Sequence, residues 1–170
     1  MHPIEKLYVK RIAEAARNQA VEQGLINTDA KILTDKQLLS IVDFYNGTLY
    51  DAGKDEFIKK LNNNTYSIHC RQPYNQFSVI YMLGYAFLHL EEMSNEESHC
   101  FDITDVKDDK AVMFARTFLM PEVLFLKDVV EHTDINGMCN VFKIADAYNI
   151  DYIEVIGRGD DLGCWNPNTP

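Results

Sequence analysis

The stretch Phe77-Ser-Val-Ile-Tyr-Met-Leu-Gly-Tyr-Ala-Phe-Leu-His89 decides how this chain is read. It predicts a buried helix from Phe77 to about Glu92, entered through residues 73–76. Tyr81 and Tyr85 stand four residues apart, so they share one face of that helix. Upstream, Thr65-Tyr-Ser-Ile-His-Cys70 alternates in the manner of a strand, after a loop at residues 62–64. Downstream, residues 91–110 hold eight acids against two lysines and read as a solvated acidic loop anchored by Phe101 and Ile103.

Outward from this segment the signals are mostly helical. Pro3 suits the first turn of a helix, and Ile4, Leu7, Tyr8, Ile12, Ala15, Ala16 and Ala20 repeat at helical spacing up to Gly24. Thr34-Asp-Lys-Gln37 has the form of a capping box ahead of Leu38, Leu39, Val42 and Phe44. A strand over Ile41-Val-Asp-Phe-Tyr45 stays open as the alternative. Asn46-Gly47 signals a turn, and a strand can begin at Thr48-Leu-Tyr50. Asp108-Asp109 opens a helix whose apolar face is Ala111, Phe114, Ala115, Phe118 and Leu119. Pro121-Glu122 opens the next, with Val123, Leu124, Leu126, Val129 and Val130, broken at Asn136-Gly137. Cys139 to Ala147 is helical, Tyr148-Asn149 turns, and Asp151 caps a last short helix to Arg158. Gly157, Gly159 and Gly163 are expected to punctuate a tail. The expectation is one α+β domain over residues 1–163, mostly helical, with a small sheet, a C-terminal pair of short helices and a loose tail at 164–170.

The 170 residues suffice for one real core, and 46% hydrophobic with 25% charged residues is an ordinary globular profile. A formal net charge of -10 makes the chain a poor candidate for wrapping phosphate backbones. No apolar leader opens the sequence, and no run is apolar and long enough to span a bilayer. Cys70, Cys100, Cys139 and Cys164 are widely spaced with no CxxC pair, which points to reduced thiols in a cytoplasm and away from a structural zinc knot.

Two histidines four residues apart on a helix can hold one zinc, and a glutamate beside the first can act as general base. Here Tyr81, Met82 and Tyr85 occupy those three positions. A phenol must lose a proton from a pKa near 10 to bind zinc well, and a thioether cannot accept a proton. The segment nonetheless resembles the helix of the ImmA/IrrE family of zinc peptidases, F-T-L-A-H-E-L-G-H-x-x-x-H, in Phe77, Leu83-Gly84 and His89. A second block, Lys110-Ala-Val-Met-Phe-Ala-Arg-Thr-Phe-Leu-Met-Pro121, is similar to the family's E-A-N-x-F-A-x-x-L-L-M-P, with Lys110 where the third ligand stands. A third block, residues 144–163, resembles the family's terminal segment in Ala145, Val155, Arg158, Leu162 and Gly163. The resemblance covers roughly residues 65–163 and implies a zincin-like fold.

What the resemblance implies about activity is altered by the four lost positions. It implies a nonenzymatic pseudopeptidase without metal or other cofactor. Tyr81, Met82, Tyr85, Lys110 and His89 would then form a vestigial cleft able to bind a protein partner. In the family, active members inactivate helix-turn-helix repressors of phages and mobile elements. A bacterial or phage member with a dead site would regulate transcription by occupying such a repressor, as an antirepressor. One alternative is a peptidase with a relocated metal site drawn from His89, His99 and Cys100, with His69 and His132 as further candidates. Asp108 is a substitute for the carboxylate ligand but is expected on another helix face than Lys110. The other alternative is an acidic DNA-binding or structural protein using the helices around Tyr148-Asn-Ile150. From Ala111 onward nine acids face four Lys or Arg, which opposes contact with phosphates.

Overall fold

A computed structural model describes residues 1–53, 55–61, 64–95, 97–100 and 108–165, the side chain of Cys100 excepted. Seven helices and four strands are found among them, in an α+β arrangement. The helices are α1 (Pro3–Glu22), α2 (Asp35–Phe44), α3 (Gln76–His89), α4 (Asp109–Leu119), α5 (Glu122–Glu131), α6 (Val141–Tyr148) and α7 (Tyr152–Leu162). The strands are β1 (Gly47–Asp51), β2 (Phe57–Lys60), β3 (Tyr66–Cys70) and β4 (Ser98–Cys100), ordered β1-β3-β2-β4. β1 runs parallel to β3, while β2 is antiparallel to both β3 and β4.

Local chemistry explains most helix starts. Thr34 and Gln37 close the capping box of α2, which settles residues 41–44 as helix. Asn75 caps α3 by accepting from the Phe77 and Ser78 amides, and Asp108 caps α4 by accepting from Ala111 N–H at 2.8 Å. His2 caps α1 while Glu5 reaches back to the His2 amide at 2.9 Å. Asn149 takes the left-handed conformation that ends α6, and Asp151 caps α7 two residues later.

α3 is the central element, packed on α4 along its length and on β3. Gly84 lets them approach. A Cβ there would stand 2.7 Å from Cδ1 of Phe114. Gln76 ties the start of α3 to two distant places. Its Oε1 accepts from Leu33 N–H at 2.8 Å, and its Nε2 donates to the Tyr148 carbonyl. The larger apolar core lies between the sheet and α1, α2, α3 and α4, and a smaller one joins Met120, Phe125, Ile144, Ala145, Tyr148 and Val155.

Four expectations are corrected. The apolar repeat of α1 is only in part its core face: Ile4, Leu7 and Tyr8 are exposed, Ala16 and Ala20 are buried, and Val9, Ala13 and Arg17 complete the buried face. Small side chains there allow α1 to lie close on α4. The repeat in α5 is likewise largely outside, since Val123 and Val130 are exposed and Phe125 and Asp128 are buried. Gly157 and Gly159 do not begin a tail. They lie inside α7, which runs on to Leu162 and ends at left-handed Gly163. Bare backbone at Gly157 and Gly159 makes room for the Arg116 guanidinium and the Trp165 indole, which an added Cβ would meet within 2.1 Å and 2.0 Å. Trp165 donates to the Ile156 carbonyl at 2.9 Å and packs against the smaller core. The acidic segment contains a strand, β4, and β2 is a further strand that its short, lysine-bearing sequence did not announce. Phe101 and Ile103 lie outside the described residues.

Candidate functional site

α3 carries Tyr81, Tyr85 and His89 at one-turn intervals toward the start of α4. Tyr81 is buried, and its phenol oxygen accepts from the Asp108 amide at 3.1 Å. The same Asp108 sends Oδ1 to its capping bond and brings Oδ2 to 3.2 Å from His89 Nε2. That approach is close enough for an ion pair but lacks the alignment of a hydrogen bond. His89 Nδ1 lies 3.7 Å from Glu92. Tyr85 stacks flat on His99 of β4, with ring centroids 4.1 Å apart, and leans on His89 at 4.7 Å.

Beside these residues lies an open cleft of about 430 Å³, lined by Met1, Glu5, Tyr85, His99, Asp108, Asp109 and Lys110. Lys110 Nζ reaches Glu5 Oε1 at 3.2 Å across its wall. The backbone bond from His2 and the nearby Lys110 ammonium hold the Glu5 carboxyl below its ordinary value. Asp108 is thus in the cleft with Lys110, not turned away from it, because a capping residue sits on the turn before the helix instead of on its barrel.

Met82 is different. It is fully buried in the core and lines no part of the cleft. His69 is also elsewhere, stacked between Phe57 and Tyr50 on the sheet, and His132 caps the end of α5. The expected set therefore separates into a cleft group (Tyr85, Lys110), a wall behind it (Tyr81, His89) and a core residue (Met82). Asp108, Glu5 and His99 complete the cleft. Of these, Glu5 had no sequence signal, since only the fold brings the first turn of α1 beside α4.

Burial pushes both the Tyr81 and Tyr85 phenols above their ordinary value, and in each case the Asp108 carboxylate adds to the shift, although the backbone bond from Asp108 works against it at Tyr81. Both are neutral phenols at neutral pH, donors and acceptors of hydrogen bonds and not anionic ligands. Among the described residues no group of three or more His, Cys, Asp or Glu is placed to hold a metal ion. The thiols of Cys70, Cys139 and Cys164 are each raised by burial, the opposite of what activates a cysteine nucleophile. The arrangement can bind: it offers an aromatic ledge at Tyr85 and His99, carboxylates at Asp108 and Asp109, and an ammonium at Lys110.

A second, larger cleft of about 540 Å³ opens between α1 and the junction of α4 and α5. Its Arg17 is committed to the carbonyls of Phe118, Thr28 and Ala30, and burial lowers its guanidinium to about 10. α6 and α7 form a pair joined by residues 149–151. Arg158 is buried in it, donating to the Met120 carbonyl at 3.0 Å and to Thr117 Oγ1 at 3.0 Å. No Lys or Arg is exposed on α7, which leaves that helix without a cation for a phosphate. No described helix is long and apolar enough to cross a membrane.

No protein-family model, no curated protein and no solved structure matches this chain. The α+β class and the cleft are what its own residues define.

Proposed function

We propose that this chain is a nonenzymatic, ImmA/IrrE-like pseudopeptidase of the bacterial cytoplasm, with a zincin-like frame, that regulates transcription by binding a helix-turn-helix repressor of a phage or mobile element. One observation carries the reading. The two positions that would hold zinc-binding histidines are neutral tyrosines: Tyr85 lines an open cleft with Asp108 and Lys110, and Tyr81 stands behind it, bonded to the Asp108 amide. Its described lining offers hydrogen-bonding and charged groups, which suits it to occupancy by a polar segment of a partner. The partner's segment lies along Tyr85, His99 and Lys110, and the repressor is held away from its operator without being cut.

The test is calorimetric titration of the untagged protein with a helix-turn-helix repressor found encoded beside its gene. Tyr85→Ala and Lys110→Glu should each weaken binding by about tenfold or more, a loss of about 1.4 kcal/mol, while the repressor stays intact on a gel. Unchanged affinity in folded variants removes the cleft from the interface. Cleavage of the repressor by zinc-loaded protein returns the chain to the peptidases.

A further inference from the structure

Two exposed apolar faces are used by neither core nor cleft. On α1, Ile4, Leu7 and Tyr8 stand at i, i+3 and i+4 and are 73%, 50% and 61% exposed. On the α6–α7 pair, Phe142 packs on Tyr152 with ring centroids 5.0 Å apart, and Ile153 and Ile156 continue the face along α7. These four are between 38% and 61% exposed. Each face amounts to roughly 300–400 Å² of apolar surface, a size that marks interaction sites on monomers.

The two faces differ in charge. Residues 1–11 hold Lys6, Lys10 and Arg11 against Glu5, while residues 141–163 hold five acids against Lys143 and Arg158. Arg11 lies on the exposed stripe of α1, one turn beyond Tyr8 and Leu7. Asp146, Asp151 and Asp160 are exposed around the other face. A face rimmed by acid does not pair with itself, because like charges meet across the twofold axis. The exposed stripe on α5, Val123 with Leu126 and Val130, has Lys127 balanced by Glu131 and so has no charge to select a partner. The α1 stripe is an amphipathic helix with apolar anchors and a basic border, which is the ligand that a two-helix apolar groove with an acidic border accepts.

We infer that the occupant of the α6–α7 face is a second copy of this chain, docking through Ile4, Leu7, Tyr8 and Arg11 of its α1. One such junction buries roughly 700 Å² in total, a weak and concentration-dependent contact, and a twofold pair making both junctions doubles it to an ordinary interface. The α1 stripe adjoins the cleft, whose lining includes Met1 and Glu5, but none of its docking residues lines that cleft, so the inference does not rest on the reading of it.

Sedimentation velocity of the full chain over a wide concentration series tests it. The wild type should self-associate. Leu7→Asp/Tyr8→Asp and Ile153→Asp/Ile156→Asp should each lower the association constant by about tenfold or more. Mixing the two variants should restore association, because the intact α1 of one meets the intact α6–α7 face of the other. Far-UV circular dichroism and urea midpoints establish that the variants fold, and glutamine at the same positions replaces any aspartate that unfolds them. A wild type that stays monomeric throughout, a variant that associates as well as wild type, or a mixture that fails to recover overturns the proposal.

Discussion

Gly84→Ala should destabilise the protein by about 1–2 kcal/mol, even though alanine is the better helix former. The added methyl would stand 2.7, 2.8 and 2.9 Å from Cδ1, Cγ and Cβ of Phe114. Carbon atoms rest at about 3.5–4.0 Å, so the shortfall approaches 1 Å. Rotating the ring cannot clear it, because Cβ is fixed to the α4 backbone. The ring itself is fully buried between Phe87 and Phe118, at 5.4 and 6.2 Å between centroids. The two helices must therefore part. Overpacking of this kind costs about 1–3 kcal/mol, and because the obstacle is tied to backbone the upper half of that range applies. Replacing glycine within a helix returns about 1 kcal/mol.

Urea unfolding followed by circular dichroism measures the difference, with the midpoint falling and the slope unchanged. A thermal scan should show a drop of about 2–8 °C for a chain of this length. Phe114→Leu supplies a partial control, since its branched end can turn off the closest contact, at Cδ1, while Cβ and Cγ stay in place. In that background Gly84→Ala should cost about 1 kcal/mol less than in the wild type. Additive effects, or a Gly84→Ala protein as stable as wild type, would refute the claim that this contact sets the spacing of α3 and α4.

Lys31→Met should cost about 3 kcal/mol, because Asp128 is buried and loses the ammonium at 2.6 Å, whereas Lys31→Met with Asp128→Leu should recover much of it; chemical denaturation decides. Glu122 is held below the ordinary carboxyl range by its hydrogen bond and charge contact with Lys10 at 2.5 Å. A depressed folded value means that the pair stabilises above about pH 4.3 and that this is lost as pH falls through the folded value. Both side chains are partly exposed, so screening limits the effect to about 0.5 kcal/mol, and Glu122→Gln should match wild type at low pH while falling slightly below it at neutral pH. The triple variant Tyr81→His, Tyr85→His, Lys110→Glu should bind about one zinc per chain in a chelator competition; failure to bind would mean that these positions do not share a ligand frame.

Legibility followed the range of the interaction. The capping residues Thr34, Asp108 and Asp151 act within three residues of themselves, and each marks a helix start in the sequence as it does in the fold. The shared face of Tyr81 and Tyr85 follows from helical period alone. The core face of α1 was legible only at Ala16 and Ala20, because Val9, Ala13 and a buried Arg17 form the rest while Ile4, Leu7 and Tyr8 face outward. Gly157 and Gly159 read as breakers because their reasons, Arg116 and Trp165, are 41 and 6 residues away. β2 and β4 are only four and three residues long, and their pairing is a property of the sheet. Asp108 was placed on the wrong side for a related reason: a helical projection does not apply to the residue before the helix.

Asp108 also indicates how the α3–α4 corner is held. On the pseudopeptidase reading, bonds between α3 and α4 stand where an active member would hold its metal. Tyr81 Oη takes the Asp108 amide, and His89 approaches the Asp108 carboxylate. A half-buried amide that loses its acceptor costs about 1 kcal/mol, and Tyr81→Phe removes only that oxygen. The variant should be destabilised by this amount, and the Asp108 amide should exchange with deuterium faster than in wild type, while the Ala111 amide, bonded to Asp108 Oδ1, keeps its protection. If the Asp108 amide exchanges at the same rate in both proteins, the Tyr81 hydroxyl is not a strut for that amide.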